Sequence, residues 1–560
     1  MKIAILGGGP SGLFMFKRLV ESGLPNLHID IFEKGRQLGA GLPYSSAGAN
    51  DEHITNVSGN EIPKIVTPVA EWIKGVSAET MTHFHIDHRF NDYKVLPRLL
   101  FGHYLSAQFE LLLQKAKSAG ISCLVHLDSP VTDVADQGGY IEIEIAGTEI
   151  AHYDRVIICI GHHWPFKHEG VVPGYFDSPY PPSKLAMHLN HPVAIKGSSL
   201  TAVDAVRTLA RHHGSFIRDN ENTTFKLEPE YPEFKIVLHT RNGMLPAVRF
   251  HLEDSHLENA RLLKPEEIAT HIIANDGFLS LDFIFEKDFK DIFRGKEPEF
   301  YQRIKAMTLE DFVADMMELR ERLEPFQLLK AEYAEAEKSI KRKESIYWKE
   351  MLGVLSFAMN YPAKHLSAED MQRLQKSLLP LISIVIAYIP QSSAEELLAL
   401  HKAGILSIVQ VGDDSKVEAQ ADSGAVYHYD GQSVAFHTYV DCVGQPHLNY
   451  CDFPFKSLLV SKTISPAMLK FKSTEAGKAA LAAGKDVYVD SQENYYLHVS
   501  GITINDNFQV VDPYGAFNDR IYMMAVPYIG GYNPDYSGLD FCEEASATII
   551  KSISQDDGNG

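Results

Sequence analysis

Lys2-Ile3-Ala4-Ile5-Leu6 runs straight into Gly7-Gly8-Gly9-Pro10-Ser11-Gly12 and then into an apolar helical stretch through Leu13, Phe14 and Phe16. A second apolar run, His28-Ile29-Asp30-Ile31-Phe32, ends at Glu33. The order strand, glycine turn, helix, strand, acid is that of a dinucleotide cradle. Gly7 permits the tight turn, Gly9 lets the backbone approach a pyrophosphate, and Gly12 lets the helix pack closely on the strand. Glu33 then stands where a carboxylate can bond an adenosine ribose hydroxyl.

Working outward, Val95–Leu112 reads as a helix, Tyr140–Ile145 as a half-exposed hairpin strand of period two, and Arg155–Gly161 as a buried parallel strand closed by glycine. The opening arrangement then repeats. Val193–Lys196 is a short strand, Gly197-Ser198-Ser199-Leu200-Thr201-Ala202 a turn, and Val203–Arg211 a helix. The next strand, Phe234–Leu238, leads to His239-Thr240-Arg241, with a loop over Gly214–Tyr231 lengthening the unit.

From about 255 to 400 the spacing of apolar residues turns helical. Thr308 with Asp311 and Ser393 with Glu396 are helix-start signals, and Lys330–Lys349 reads as a solvated helix face. After Gly404 strands return at Ile405–Val411, Ala425–Tyr429 and Ala435–Val443. A strand pair over Gly501–Val511, a strand Ile521–Val526 and a closing helix Gly538–Ile553 follow, with a disordered tail expected after Ser554.

A chain of 560 residues exceeds one ordinary core and suggests roughly three to four units. The net charge of −21 argues against nucleic acid or an anionic membrane as the main partner, but does not decide the substrate, because a local basic pocket can sit in an acidic protein. The five cysteines form no CxxC pair, which removes a redox dithiol and a zinc ribbon and fits a reducing compartment. The first apolar run is too short for a signal peptide, and Leu378–Ile389 is too short to span a bilayer. A cytoplasmic protein is expected; its oligomeric state is not legible. His83, His85 and His88 are read as chance clustering among 25 histidines rather than as a metal site. No GxSxG elbow, HExxH helix or P-loop lysine is present, so hydrolase and kinase chemistry lack their parts.

These motifs resemble the bacterial FAD-NAD(P)-binding flavoproteins, relatives of the N-hydroxylating flavin monooxygenases. The resemblance rests on Gly7–Gly12 with Glu33, Gly39–Tyr44, His53–Val57, Pro97-Arg98 with Gly102–Leu105, Cys159–His162, Gly197–Asp204 and Thr240-Arg241. It implies an α/β fold of two Rossmann-like domains, an FAD domain interrupted by an NAD(P) domain, with a helical insertion. The expected division is 1–190 and 441–560 for the FAD domain, 191–255 and 401–440 for the NAD(P) domain, and 256–400 for an insertion forming a substrate pocket or lid.

The resemblance implies FAD on Gly7, Gly9, Pro10, Ser11, Gly12, Glu33 and Lys34, with the loop through Gly41 passing under the flavin. Arg98 would pair with a flavin phosphate or with a carboxylate that positions the cofactor, and Val131 would hold adenine through its backbone. Gly161 and Gly444 would lie at the crossings between domains. In the second unit Gly197, Ser199 and Ala202 stand for the three glycines. Arg241 replaces the usual acid and accommodates a 2′-phosphate, favouring NADPH over NADH. The last strand lacks the usual Gly-Asp; Gly530-Gly531 or the helix start at Gly538 would take its place.

The implied activity is that of an FAD enzyme reduced by NADPH, a monooxygenase acting on a small nucleophilic amine. The flavin does the chemistry and no side-chain acid or base is singled out as catalytic. An oxygen-independent flavin dehydrogenase or reductase, and a non-catalytic flavin-bound redox sensor, are the alternatives.

Overall fold

The computed structural model describes residues 1–86, 90–147, 149–219, 222–252, 263–445, 447–532 and 538–558. It is a mixed α/β fold with two parallel sheets and a helical region, the class expected from the motifs.

The first sheet has six strands, in the order Gln509–Val511, Phe517–Met523, Arg155–Ile158, Lys2–Leu6, His28–Phe32, Ser122–His126. All neighbours are parallel except the first pair. Its centre is buried on both faces, and Ile3, Ala4 and Ile5 are fully buried, which is why these strands read as unbroken apolar runs. Phe517–Met523 joins beside Arg155–Ile158, so the C-terminal segment completes the N-terminal sheet. The meander Val131–Asp136, Ile141–Ile145, Glu149–Tyr153 buries Ile141, Ile143 and Ile145 and turns Glu142 and Glu144 outward.

The second sheet is wholly parallel, in the order Tyr175–Phe176, Thr438–Asp441, Pro192–Lys196, Lys235–Thr240, Leu406–Gln410. The helix Leu200–Arg211 packs on it with Ala202, Val206 and Leu209 fully buried. Between strands Lys235–Thr240 and Leu406–Gln410, helices run from Pro265–Ala274 to Leu379–Val385. Their apolar side chains, among them Phe285, Phe289 and Phe312, are continuous with the core of the first sheet.

Several local expectations change. Gly214–Tyr231 is a hairpin, Gly214–Asp219 against Asn222–Leu227, because its alternating residues find a partner strand. Ala435–Val443 is two strands, Gln432–Phe436 in a three-stranded meander and Thr438–Asp441 in the parallel sheet. Ser393 is no cap: the helix Gln391–Lys402 starts earlier, behind Pro390. Its Glu396 is buried against Arg207 and Arg211, and its apolar residues enter the second core. The Lys330–Lys349 run is not one solvated face. Helix Pro325–Arg342 ends at left-handed Lys343, and Glu332 and Lys349 are buried together as an ion pair. Val95–Pro97 is a strand, so the predicted helix begins at Arg98. The closing helix continues to Gly558 instead of ending before a tail.

Candidate functional site

A cleft of about 1440 Å³ crosses the C-terminal ends of the first sheet's strands, with Gly7, Glu33, Ile160 and Met524 on its lining. This is where open α/β sheets bind ligands. Gly9, Pro10 and Ser11 line it as the start of helix Pro10–Glu21. Gly9 caps that helix without a side-chain hydrogen bond, so its first N–H groups are left for an anion, helped by the helix dipole. Pro10 occupies the first turn, where its missing N–H loses nothing.

Glu33 is oriented by two backbone donors, Gly8 N–H to Oε2 at 2.8 Å and Gly35 N–H to Oε1 at 2.7 Å. Lys34 follows it on the lining, and Ser129, Pro130 and Val131 close the same end. The loop through Gly41 lies directly on the fingerprint turn. A Cβ on Gly9 would sit 3.3 Å from the Gly41 Cα, and Gly39 N–H donates to Gly8 O at 2.7 Å. Gly12 is off the lining: a Cβ there would meet Gly7 O at 2.1 Å, so its absence serves helix–strand contact. At the C-terminal end, Gly538–Cys542 line the cleft. Gly530 and Gly531 do not, and Gly531 is pressed against Ser500 backbone.

Arg98 lines the cleft with its charge committed to protein. Its Nη1 donates to Asp204 Oδ2 at 2.5 Å and its Nε to Ile54 O at 3.2 Å. Tyr180 Oη also donates to Asp204 Oδ2, at 2.8 Å. Of the two partners expected for Arg98, the structure pairs it with a carboxylate. Burial pushes the Asp204 carboxyl up, but Arg98, His53 and the hydrogen bonds from Tyr180 and Arg98 outweigh it and hold it below the usual aspartate range. Burial pushes the His53 imidazole below its usual value, against the pull of Asp204. Its Nδ1 accepts Asn50 N–H, so Nε2 carries the proton and faces Thr208 Oγ1 at 3.1 Å. This network joins the two units. Asp204 and Thr208 were missed as site residues; the signal was a set of polar residues on a helix face otherwise built of Ala and Val.

The second cradle repeats the geometry. Gly197 has φ +105°, and a Cβ there would lie 2.9 Å from Cys442 O. Ser199 caps helix Leu200–Arg211 without a side-chain bond, and Ala202 is fully buried. Gly197, Ser199 and Ala202 are themselves off the cleft lining, but Leu200 and Thr201 are on it. Arg241 stands apart at the outer end of its strand, its side chain 61% exposed and its Nε 3.4 Å from Asp413. Gly161 lines the cleft; Gly444 has φ +101° and its carbonyl accepts the Trp164 indole N–H at 3.1 Å. Next to it Gln445 accepts His163 N–H and donates to His163 O, zipping the two crossing segments together.

Cys159 and Cys542 line the cleft as thiols: burial pushes both up, Cys542 to about 12. His83 pairs with Asp51 at 3.2 Å, and His88 lies outside the described residues. No group of three or more His, Cys, Asp or Glu able to hold a metal occurs among the described residues. None of the described helices is long and apolar enough to cross a membrane.

A strand-turn-helix cradle with an oriented acid, and a second cradle without one opening on the same cleft, define a two-dinucleotide oxidoreductase fold. Residues 4–163 match the family described as FAD-NAD(P)-binding, and residues 264–386 match the family described as YdhS-like middle domain. The N-terminal part of the chain thus matches an FAD-NAD(P)-binding domain. The chain is 29% identical to the protein YdhS of Escherichia coli (strain K12) over 573 residues, covering 99% of this chain and 97% of that one. Among solved structures it is similar to the bacillithiol disulfide reductase Bdr (YpdA) from Staphylococcus aureus, at 10% identity and TM-score 0.44, over 99% of this chain and 98% of that one. It is also similar to the Kutzneria sp. 744 ornithine N-hydroxylase, at 12% identity and TM-score 0.42, over 99% of both chains.

The cleft fits the cofactor that the family description names. The uncapped helix start at Gly9 would hold the pyrophosphate, Glu33 the adenosine ribose, and the Ser129–Val131 side the adenine.

Proposed function

We propose that the protein is an NADPH-reduced flavin monooxygenase acting on a small, nucleophilic, amine-type substrate. One observation carries this reading: the first cradle (Gly9–Ser11) and the helix start of the second (Leu200-Thr201) open onto one cleft, which continues between the helical segment and the C-terminal segment. A donor held by one cradle then faces a carrier held by the other. Bound FAD supplies hydride acceptance and oxygen activation. The chain binds, orients and excludes water, and the Arg98–Asp204 pair holds the two cradles in register.

In this reading residues 1–190 and 441–560 form the FAD domain, 191–255 and 401–440 the NAD(P) domain, and 256–400 the substrate wall. Helix Gln391–Lys402 of that last span goes with the second sheet by its packing. Arg241, held only loosely by Asp413, receives the 2′-phosphate. Five free cysteines, three of them buried, suit a reducing, cytoplasmic setting.

The test is NADPH consumption by the purified, FAD-loaded protein with and without oxygen. Oxygen uptake coupled to NADPH loss supports the monooxygenase. Flavin reduction with no oxygen consumption supports a dehydrogenase instead, and no reduction at all refutes the oxidoreductase reading. Gly197→Asp places a carboxylate against Cys442 O and is expected to abolish reduction while FAD is retained. Unimpaired reduction in that variant rules out the second cradle.

A further inference from the structure

The cleft has two chemically different halves. Its basic lining residues, Lys34, Arg36, Arg98, His162 and His163, all belong to the cofactor half. The other half lies between the helical segment and the C-terminal segment. None of the described residues lining it from 353 to 388, or from 452 to 542, is Lys, Arg or His. Its walls are apolar: Phe357, Leu379, Ile382 and Ile386 on one side, Phe455 and Met524 on the other.

Three carboxyls line this half, Glu61, Asp452 and Asp540. Glu61 is matched from behind by Arg249, whose guanidinium lies over the Tyr388 ring, and it accepts Tyr388 Oη at 3.3 Å. Burial, and then the neighbouring carboxylates Glu61, Glu544 and Glu543, push Asp540 up to about 7. A positive charge arriving beside it would meet a favourable field.

A second, independent feature is Asn360, which lines the same half at 2% exposure. Its amide oxygen has no hydrogen-bond partner among the described residues. A buried acceptor left open is a place for a donor. The two features line the same cleft, Asn360 from the helical segment and Asp540 from the C-terminal helix.

We propose that this half-chamber selects an apolar monoamine, a cationic N–H donor head on an aliphatic or aromatic body that bears no carboxylate. The head meets Asp540 and the open oxygen of Asn360, and the body lies between Phe357, Ile382 and Phe455. A carboxylate on the ligand would be desolvated beside Asp540 with no lining cation to pair it. An alcohol of the same shape brings no charge. The inference rests on the flavin oxidoreductase reading for the fate of the amine, not for its binding.

Calorimetric titration of the FAD-loaded protein with n-hexylamine, 1-hexanol, hexanoate and 6-aminohexanoate tests it without turnover. Hexylamine is expected to bind at least about tenfold tighter than each of the others, the size of one charge-assisted hydrogen bond. Asp540→Asn is expected to bring hexylamine within about threefold of hexanol, and Asn360→Ala to weaken hexylamine about fivefold or more. Both variants are checked for full FAD content, so either can carry the test if the other misfolds. Hexanoate or 6-aminohexanoate binding as tightly as hexylamine overturns the inference, as does an amine preference that survives Asp540→Asn, or no heat from any probe at millimolar concentration. Anaerobic bleaching of the flavin by NADPH reports on the oxidoreductase reading separately. Amine binding without bleaching sinks that reading and leaves the inference standing; bleaching with a preference for hexanoate does the reverse.

Discussion

The Arg98–Asp204 pair links the two cradles through one removable carboxylate. The side chains are 15% and 6% exposed, so the pair sits almost entirely out of water. Asp204→Ala leaves the Arg98 guanidinium buried without its carboxylate, with Ile54 O and Tyr180 beside it. Removing one partner of a buried pair costs about 3–5 kcal/mol, most of it the penalty of the stranded charge. Replacing both partners by apolar groups of similar size is near neutral.

Asp204→Ala should therefore be strongly destabilised, and Arg98→Met/Asp204→Leu should recover most of the loss. Urea unfolding followed by flavin release and by circular dichroism reads both. Flavin release should come first in Asp204→Ala, since His53, Arg98, Asp204 and Thr208 tie the cofactor side to the second helix. A single variant within about 0.5 kcal/mol of the parent, or a double variant no better than the single, would show that the pair holds nothing together.

Three further outcomes follow from particular contacts. Glu33→Ala removes a carboxylate held by Gly8 and Gly35 N–H. FAD affinity measured by fluorescence should drop at least about tenfold, since bonds to a charged group are worth about 1.5–3 kcal/mol. Lys349, 1% exposed, pairs with Glu332 and with Glu335 at 2.7 Å, while Arg320 holds Glu332 from the other side at 2.5 Å. Lys349→Met should cost about 3 kcal/mol and make the helical segment the first site of limited proteolysis; unchanged proteolysis refutes it. His239 is buried against Tyr427, and burial lowers it from 6.5 to about 4. A depressed pKa means that the unfolded chain takes the proton first, so this contribution is whole above pH 6.5 and drains away as pH falls towards 4. Thermal melts of His239→Phe should accordingly show a shallower loss between pH 6.5 and 4.5 than the parent; parallel curves count against the assignment.

Much of the fold can be read along the chain because its signals are local. A buried parallel strand shows as an apolar run, and a cradle shows as glycines at fixed spacing with an acid after the next strand. Gly7, Gly9, Glu33 and Gly197 could be singled out from sequence since each answers a constraint of its own backbone. The hairpin at 214–227 and the break at Lys343 went unread, because alternation and charge runs do not reveal which neighbour will cover them.

The sequence alone determines the class of fold, the two cradles and the chemistry of a dinucleotide pyrophosphate at a helix start. It does so because the turn geometry depends on residues that are neighbours in the chain. Tertiary structure alone decides that Arg98 serves Asp204 instead of a phosphate, and that Asp540 and Asn360 share a chamber with Phe357. Those partners come from segments more than a hundred residues apart, and burial, which sets their charge and their open valences, exists only once the segments have met.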